Sequence, residues 1–92
     1  LSLYAIEIRV TPRRGLLDPQ GKAIQHALDS LGFAGVAEVR AGKLLVIELE
    51  ADSPDEAAAR ATRMCEKLLA NPVTEDFAIE VARDAAQPEA AT

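Results

Sequence analysis

The sequence predicts an α+β fold, a two-layer sandwich of βαββαβ order in which an antiparallel sheet carries two helices on one face. Near both ends apolar residues alternate with polar ones, at Tyr4, Ile6, Ile8 and Val10 and at Phe77, Ile79 and Val81, the period of a strand that buries one face. Two stretches change to helical spacing, each opened by a capping residue and a proline, Asp18-Pro19 and Ser53-Pro54. Between them lie two β-prone runs, residues 36–40 and 43–50.

The first strand ends where Thr11-Pro12-Arg13-Arg14-Gly15 breaks the alternation, because proline lacks an amide donor and glycine admits unusual backbone angles. The first helix starts at Asp18-Pro19, and its stripe of Ile24, Ala27, Leu28 and Leu31 runs to Gly32. Val36–Arg40 and Lys43–Glu50, separated by Ala41-Gly42, read as a hairpin or as one long bent strand. Ser53 and Glu56 form a capping box, after which Ala57, Ala61, Met64, Cys65 and Leu68 make the apolar stripe of a second helix that Asn71-Pro72 ends. The last strand carries Phe77, Ile79 and Val81. Residues 1–82 form one domain, and residues 83–92, with little apolar content, are expected to be a disordered tail.

Two helices cover one sheet face only. The other face carries Leu3, Ala5, Leu44, Val46 and Ala78, which calls for a partner, and a symmetric homodimer is the commonest solution. The chain has 92 residues, 49% of them hydrophobic, enough for one core. With two Phe, one Tyr and no Trp that core is aliphatic, and a broad aromatic ligand cage is not expected. A net charge of -5 repels a phosphate backbone, so nucleic acid is not an expected partner. Cys65 is the single cysteine and cannot form an internal bridge, and no apolar run approaches the roughly 20 residues that cross a bilayer. No secretory signal is recognisable, and the expected compartment is the cytoplasm.

The chemistry-bearing side chains form no catalytic set. His26 is the only imidazole, and helical geometry puts it about 200° from Ile24, opposite the apolar stripe, where a surface residue is the plain reading. With no second His and no Cys pair, no metal site is expected. Cys65 lies on the apolar side of the second helix and reads as a small buried hydrophobe, not a nucleophile. The five glycines compose neither a Walker-type run nor a dinucleotide fingerprint. Arg13 and Arg14, and the helix start Asp18-Pro19-Gln20-Gly21, could receive an anion, but a solvated loop followed by a helix cap explains them as well.

Three stretches are more specific. Leu17-Asp18-Pro19-Gln20-Gly21 with Ile24-Gln25-His26-Ala27-Leu28, then Val39-Arg40 with Gly42-Lys43, then Cys65 through Val73 followed by Glu75-Asp76-Phe77, closely resemble the PurS family in order and separation, across roughly residues 3 to 82. The resemblance implies a non-catalytic accessory subunit of phosphoribosylformylglycinamidine (FGAM) synthase. In that scheme the complex converts formylglycinamide ribonucleotide, glutamine and ATP into the amidine, glutamate, ADP and phosphate. A glutamine amidotransferase subunit liberates ammonia, and a large synthetase subunit uses ATP, with ATP and Mg held there. The small subunit binds no cofactor and, as a dimer or higher oligomer, holds the two together so that ammonia need not escape. The Thr11–Gly15 loop and the extended Ala-rich tail depart from the family pattern. Asp18, Gln20 and Gly21, the His26 side of the first helix, and Asn71 and Glu75 are motif-matched yet unexplained by the core stripes, and are the expected recognition surface. Asp18 and Asn71 also suit helix capping. The rival readings are a stand-alone ferredoxin-like regulatory domain with an effector at its dimer interface, and a small dimeric enzyme using His26 as base.

Overall fold

A computed structural model describes residues 1–83; of the expected tail only Arg83 falls among the described residues, as the end of the last strand. β1 (Ser2–Pro12) is the centre of a three-stranded antiparallel sheet, with β2 (Lys43–Ala51) and β3 (Glu75–Arg83) on either side in the order β2-β1-β3. Alternation along β1 sends Tyr4, Ile6, Ile8 and Val10 to one face, where all four are buried. The register sets Leu45, Ile47 and Leu49 of β2, and Phe77, Ile79 and Val81 of β3, beside them on that face.

α2 (Pro54–Met64) covers this face. Its start follows from the capping box: the Glu56 amide donates to Ser53 Oγ at 3.0 Å, and the Glu56 carboxylate accepts from the Asp52 amide at 2.6 Å, one residue before the cap. Ala57 and Ala61, both fully buried, let the helix axis approach the strands closely, and Cys65 completes the contact. A π-helical turn then spans Cys65–Leu69. Its extra residue rotates the stripe, so Leu68, expected in the core, is 82% exposed, while Leu69 and Ala70 pack inward instead.

The antiparallel α+β architecture is as expected, but two elements differ from the reading of the sequence. α1 (Pro19–Ser30) does not lie on the sheet beside α2; none of its side chains joins the core, and Leu31 at its end is 73% exposed. The strand expected at Val36–Arg40 is not formed. Gln25 on α1 donates its side-chain amide to the carbonyls of Val36 (3.3 Å) and Ala37 (3.2 Å), and Asp18 accepts from the Ala41 amide at 2.8 Å. Backbone groups that a strand would offer to β2 are thus spent on α1, and Gly32 and Gly35, with φ of 94° and 92°, turn the chain back along the helix. α1 and this return segment form an arm. The radius of gyration is 16.7 Å, against about 12 Å for a compact chain of this length, and the molecule measures 51 × 34 × 16 Å. Among the described residues, β2 has a neighbour only on its β1 side.

Candidate recognition site at the root of the arm

Asp18 is the staple of the arm. One carboxylate oxygen accepts from the Gly21 amide at 3.2 Å, closing the first turn of α1, and the other accepts from the Ala41 amide at 2.8 Å, tying in the far end of the return segment. These bonds favour the ionised form. The Ala41 amide above all, then the Gly21 amide, hold the Asp18 carboxyl below its ordinary value of 3.8, with partial desolvation opposing and the Gln20 amide adding a smaller pull. Because the folded-state value is the depressed one, the contribution of Asp18 is present above the ordinary carboxylate range and is lost as pH falls through the folded value. In an NMR titration the Gly21 and Ala41 amide protons should therefore shift together with one midpoint below 3.8. Separate midpoints, or a common one above that value, would break the assignment of Asp18 as a shared acceptor.

Gly21 is buried because the return segment presses on it: a Cβ there would overlap the Val39 carbonyl oxygen and the Asp18 carboxylate. Gln20 is exposed on the same first turn. His26 is exposed further along α1, where it lines a 190 Å³ cleft with Gln25, Asp29 and Phe33.

Asn71 and Glu75 belong to a turn before β3 whose groups satisfy one another. The Glu75 amide donates to the Asn71 carbonyl at 2.8 Å, the Asn71 amide to the Glu75 carboxylate at 2.7 Å, and the Val73 amide to Asn71 Oδ1 at 3.0 Å. Arg13 fastens this turn to the end of β1. Its amide donates to the Thr74 carbonyl at 3.0 Å, and its guanidinium reaches the Pro72 carbonyl at 2.8 Å and Asp76 at 3.1 Å. Arg40 donates to the Pro12 carbonyl at 3.1 Å on the other side. A 410 Å³ groove lined by Pro12, Leu16, Leu17, Thr74 and Glu75 joins the turn to the arm root.

The structure thus brings Asp18, Gln20, Gly21, Asn71 and Glu75 to one end of the sheet and leaves His26 further out on the arm. Arg13 and Arg40 organise that end. The sequence offered Arg13 as a possible anion ligand and Arg40 as part of a family-matched stretch, but not these bonds, since a guanidinium reaching a carbonyl tens of residues away leaves no local pattern. Arg13 is committed to the turn, and Arg14 lies 3.5 Å from Glu38, so the loop arginines are engaged within the chain.

Among the described residues the chemistry-bearing side chains form no catalytic set. Cys65 is sealed in the core, where burial first and the charge of Glu66 second push its thiol pKa up, keeping it protonated. The one imidazole is out on the arm. Among the described residues no three His, Cys, Asp or Glu side chains gather as metal ligands, and no buried side-chain polar atom lacks a hydrogen-bond partner.

A family model described as phosphoribosylformylglycinamidine (FGAM) synthase, PurS, matches residues 5–83. The chain is 41% identical over 85 residues to phosphoribosylformylglycinamidine synthase subunit PurS of Bacillus subtilis, covering 92% of this chain and 100% of that one. It is 46% identical over 80 residues to the Synechocystis subunit, covering 85% and 78%. Among solved structures, it superimposes on a chain of PurLQS from Thermotoga maritima with a TM-score of 0.80 at 30% identity, covering 89% of this chain and 100% of that one. B. subtilis PurS in its C2 crystal form matches with a TM-score of 0.73 at 42% identity, covering 86% and 98%. These matches span the sheet, both helices and the arm, and they displace the stand-alone regulatory domain as the reading of this fold: the chain belongs to the PurS family, a subunit of FGAM synthase in purine biosynthesis.

Proposed function

We propose that this chain is the non-catalytic assembly subunit of FGAM synthase. As a cytoplasmic homodimer it joins the large synthetase subunit to the glutamine amidotransferase subunit, so that ammonia released from glutamine reaches the large subunit without loss to solvent. ATP and Mg are bound by the large subunit in this scheme, and no cofactor by this chain. The observation that carries the reading is the arm, an ordered lobe with an apolar stripe and motif-matched polar residues, held off its own sheet by a chain with no catalytic constellation. The Thermotoga relative was solved within PurLQS, which supports an assembly role. No helix among the described residues is long and apolar enough to cross a membrane.

The decisive assay is amidine formation by the matched large and glutaminase subunits, with and without this chain, with either glutamine or free ammonia as nitrogen donor. Glutamine-dependent activity should depend on the chain, by tenfold or more if transfer becomes unassisted, and ammonia-dependent activity should not. Equal rates with and without the chain under both donors would remove the assembly role. Replacing Gln20 and His26 together with Ala should abolish the stimulation while the protein stays folded and dimeric, because both side chains are exposed and outside the core. Full stimulation by that variant would take these two residues out of the recognition surface.

A further inference from the structure

Four arginines of this chain are paired within it: Arg9 with Glu7 and Glu80, Arg13 with Asp76, and Arg14 and Arg40 with Glu38. Three cations on α2 and its π-helical turn are not. Among the described residues no carboxylate forms an ion pair with Arg60, Arg63 or Lys67. Glu56, one turn before Arg60, is committed to the Asp52 amide at 2.6 Å. Arg60 donates to the Glu50 carbonyl of β2 at 3.0 Å, which fixes its side chain against the sheet and leaves its charge without a counter-charge. A chain with a net charge of -5 thus gathers three uncompensated cations on one helix flank.

The same flank displays apolar surface. In an uninterrupted α-helix Leu68 would stand seven residues, about two turns, after Ala61 and over the same core. The π-helical turn brings Leu69 inward and turns Leu68 out to 82% exposure, beside Met64. Single π turns are rare and frequent at functional sites, and this one gives up the burial of a leucine. Leu68 and Met64 then form the floor of a 390 Å³ groove whose rim is Arg60, Arg63 and Lys67.

Rim and floor together specify an occupant. The floor takes an apolar side chain, and the flexible Met64 thioether adapts to its shape. The rim takes carboxylates, which the planar guanidinium groups of Arg60 and Arg63 can bind in pairs. A second copy set on this groove by a two-fold axis would bring its own three cations against these three. A nucleic acid meets an apolar floor here and the repulsion of a net acidic chain around it. A short acidic segment of a protein meets neither obstacle, because its charge stays inside the rim.

We propose that this groove docks an acidic segment of a partner protein, one that places carboxylates on either side of a single apolar side chain and is carried by another FGAM synthase subunit. The inference rests on the assembly reading and gives it a second contact surface, on α2, apart from the root of the arm.

The test compares the wild-type chain with Arg63→Glu/Lys67→Glu and with Leu68→Ser, all three positions being exposed. Sedimentation with the matched large and glutaminase subunits measures binding, and amidine formation with glutamine measures stimulation. Both variants should bind about tenfold more weakly or worse, with dichroism and self-association of the isolated chain unchanged. Wild-type binding should weaken as salt is raised; Leu68→Ser should keep that dependence, since the rim remains, and Arg63→Glu/Lys67→Glu should lose it. A photoreactive label on Lys67→Cys should cross-link to a carboxylate-bearing segment of one of those subunits, native Cys65 being fully buried and out of reach of the label. Full binding by both variants, salt-insensitive binding by the wild type, or a cross-link to a second copy or to residues 84–92 of the same chain would each overturn the proposal. Variants that lose nothing while the wild type assembles remove the groove alone, whereas a wild type that neither binds nor stimulates removes the assembly role and the groove with it.

Discussion

Truncation of Ile8 to Ala should cost about 2–5 kcal/mol of unfolding free energy, a large share of the roughly 5–15 kcal/mol that a domain commonly has. Ile8 is fully buried at the middle of β1, with Leu45 on one neighbouring strand and Ile79 on the other. Its side chain is enclosed on three sides, by those two residues and by α2 above. A cavity there cannot collapse easily, since the sheet fixes the strand spacing and the Ala57–Ala61 face of α2 already lies close. The comparison that gives the number meaning is Val46→Ala. Val46 pairs with Glu7 across the sheet but points to the outer face and is 61% exposed, and its loss should stay within about 0.5 kcal/mol. Urea unfolding at one fixed protein concentration measures both, because any self-association adds a concentration-dependent term. Similar costs for the two substitutions would mean that the outer face is as buried as the inner one and would remove the distinction between the faces.

The contrast between Ile8 and Val46 was legible in the sequence, since a period of two needs no knowledge of what lies across the sheet. The second helix was legible for a similar reason: Ser53, Pro54 and Glu56 act within a single turn. What escaped were interactions with no local spacing. Val36 and Val39 give residues 36–40 β propensity, but Gln25 and Asp18 take up the backbone groups that a ladder would use. Leu68 sits at helical spacing from Met64 and Cys65, and a π-helical turn, which the residues do not announce, turns it outward. The stripe of α1 was read correctly as apolar and wrongly as resting on its own sheet. Periodicity says that a face needs cover and is silent on which chain provides it.

The site divides along the same line. Asp18 and Asn71 were visible because capping and turn chemistry are short-range, and the structure gives both of them that work to do. The organising work of Arg13 and Arg40 was not, because their partners are carbonyls brought near only by the fold. The bland and the functional readings of Asp18 are compatible. By closing α1 onto Ala41 it shapes the surface on which Gln20 is displayed, so any part it takes in the proposed recognition passes through the geometry of the arm.

Gly21→Ala tests that geometry, and it should reverse a familiar sign. Inside a helix, exchange of Gly for Ala ordinarily stabilises by about 0.5–1 kcal/mol, because glycine loses more backbone freedom on folding. Here the added methyl would overlap the Val39 carbonyl oxygen, a backbone atom that cannot swing aside as the tip of a side chain can, and would crowd the Asp18 carboxylate that holds Ala41. The expected outcome is a net loss of about 1–3 kcal/mol, the usual cost of overpacking. Because α1 lies outside the core, the loss should be local: amide exchange should speed up across residues 21–30 and at Ala41, while the β1 amides keep their protection. If instead the arm becomes better protected, the helix and return segment are not in tight contact, and the glycine is there for some reason other than this approach. If the arm loosens and the sheet does not, the folded core and the arm are energetically separable. Under the proposed assembly role, a loosened arm should then weaken glutamine-dependent stimulation in a chain whose sheet is unchanged, a combination that loss of global stability does not produce.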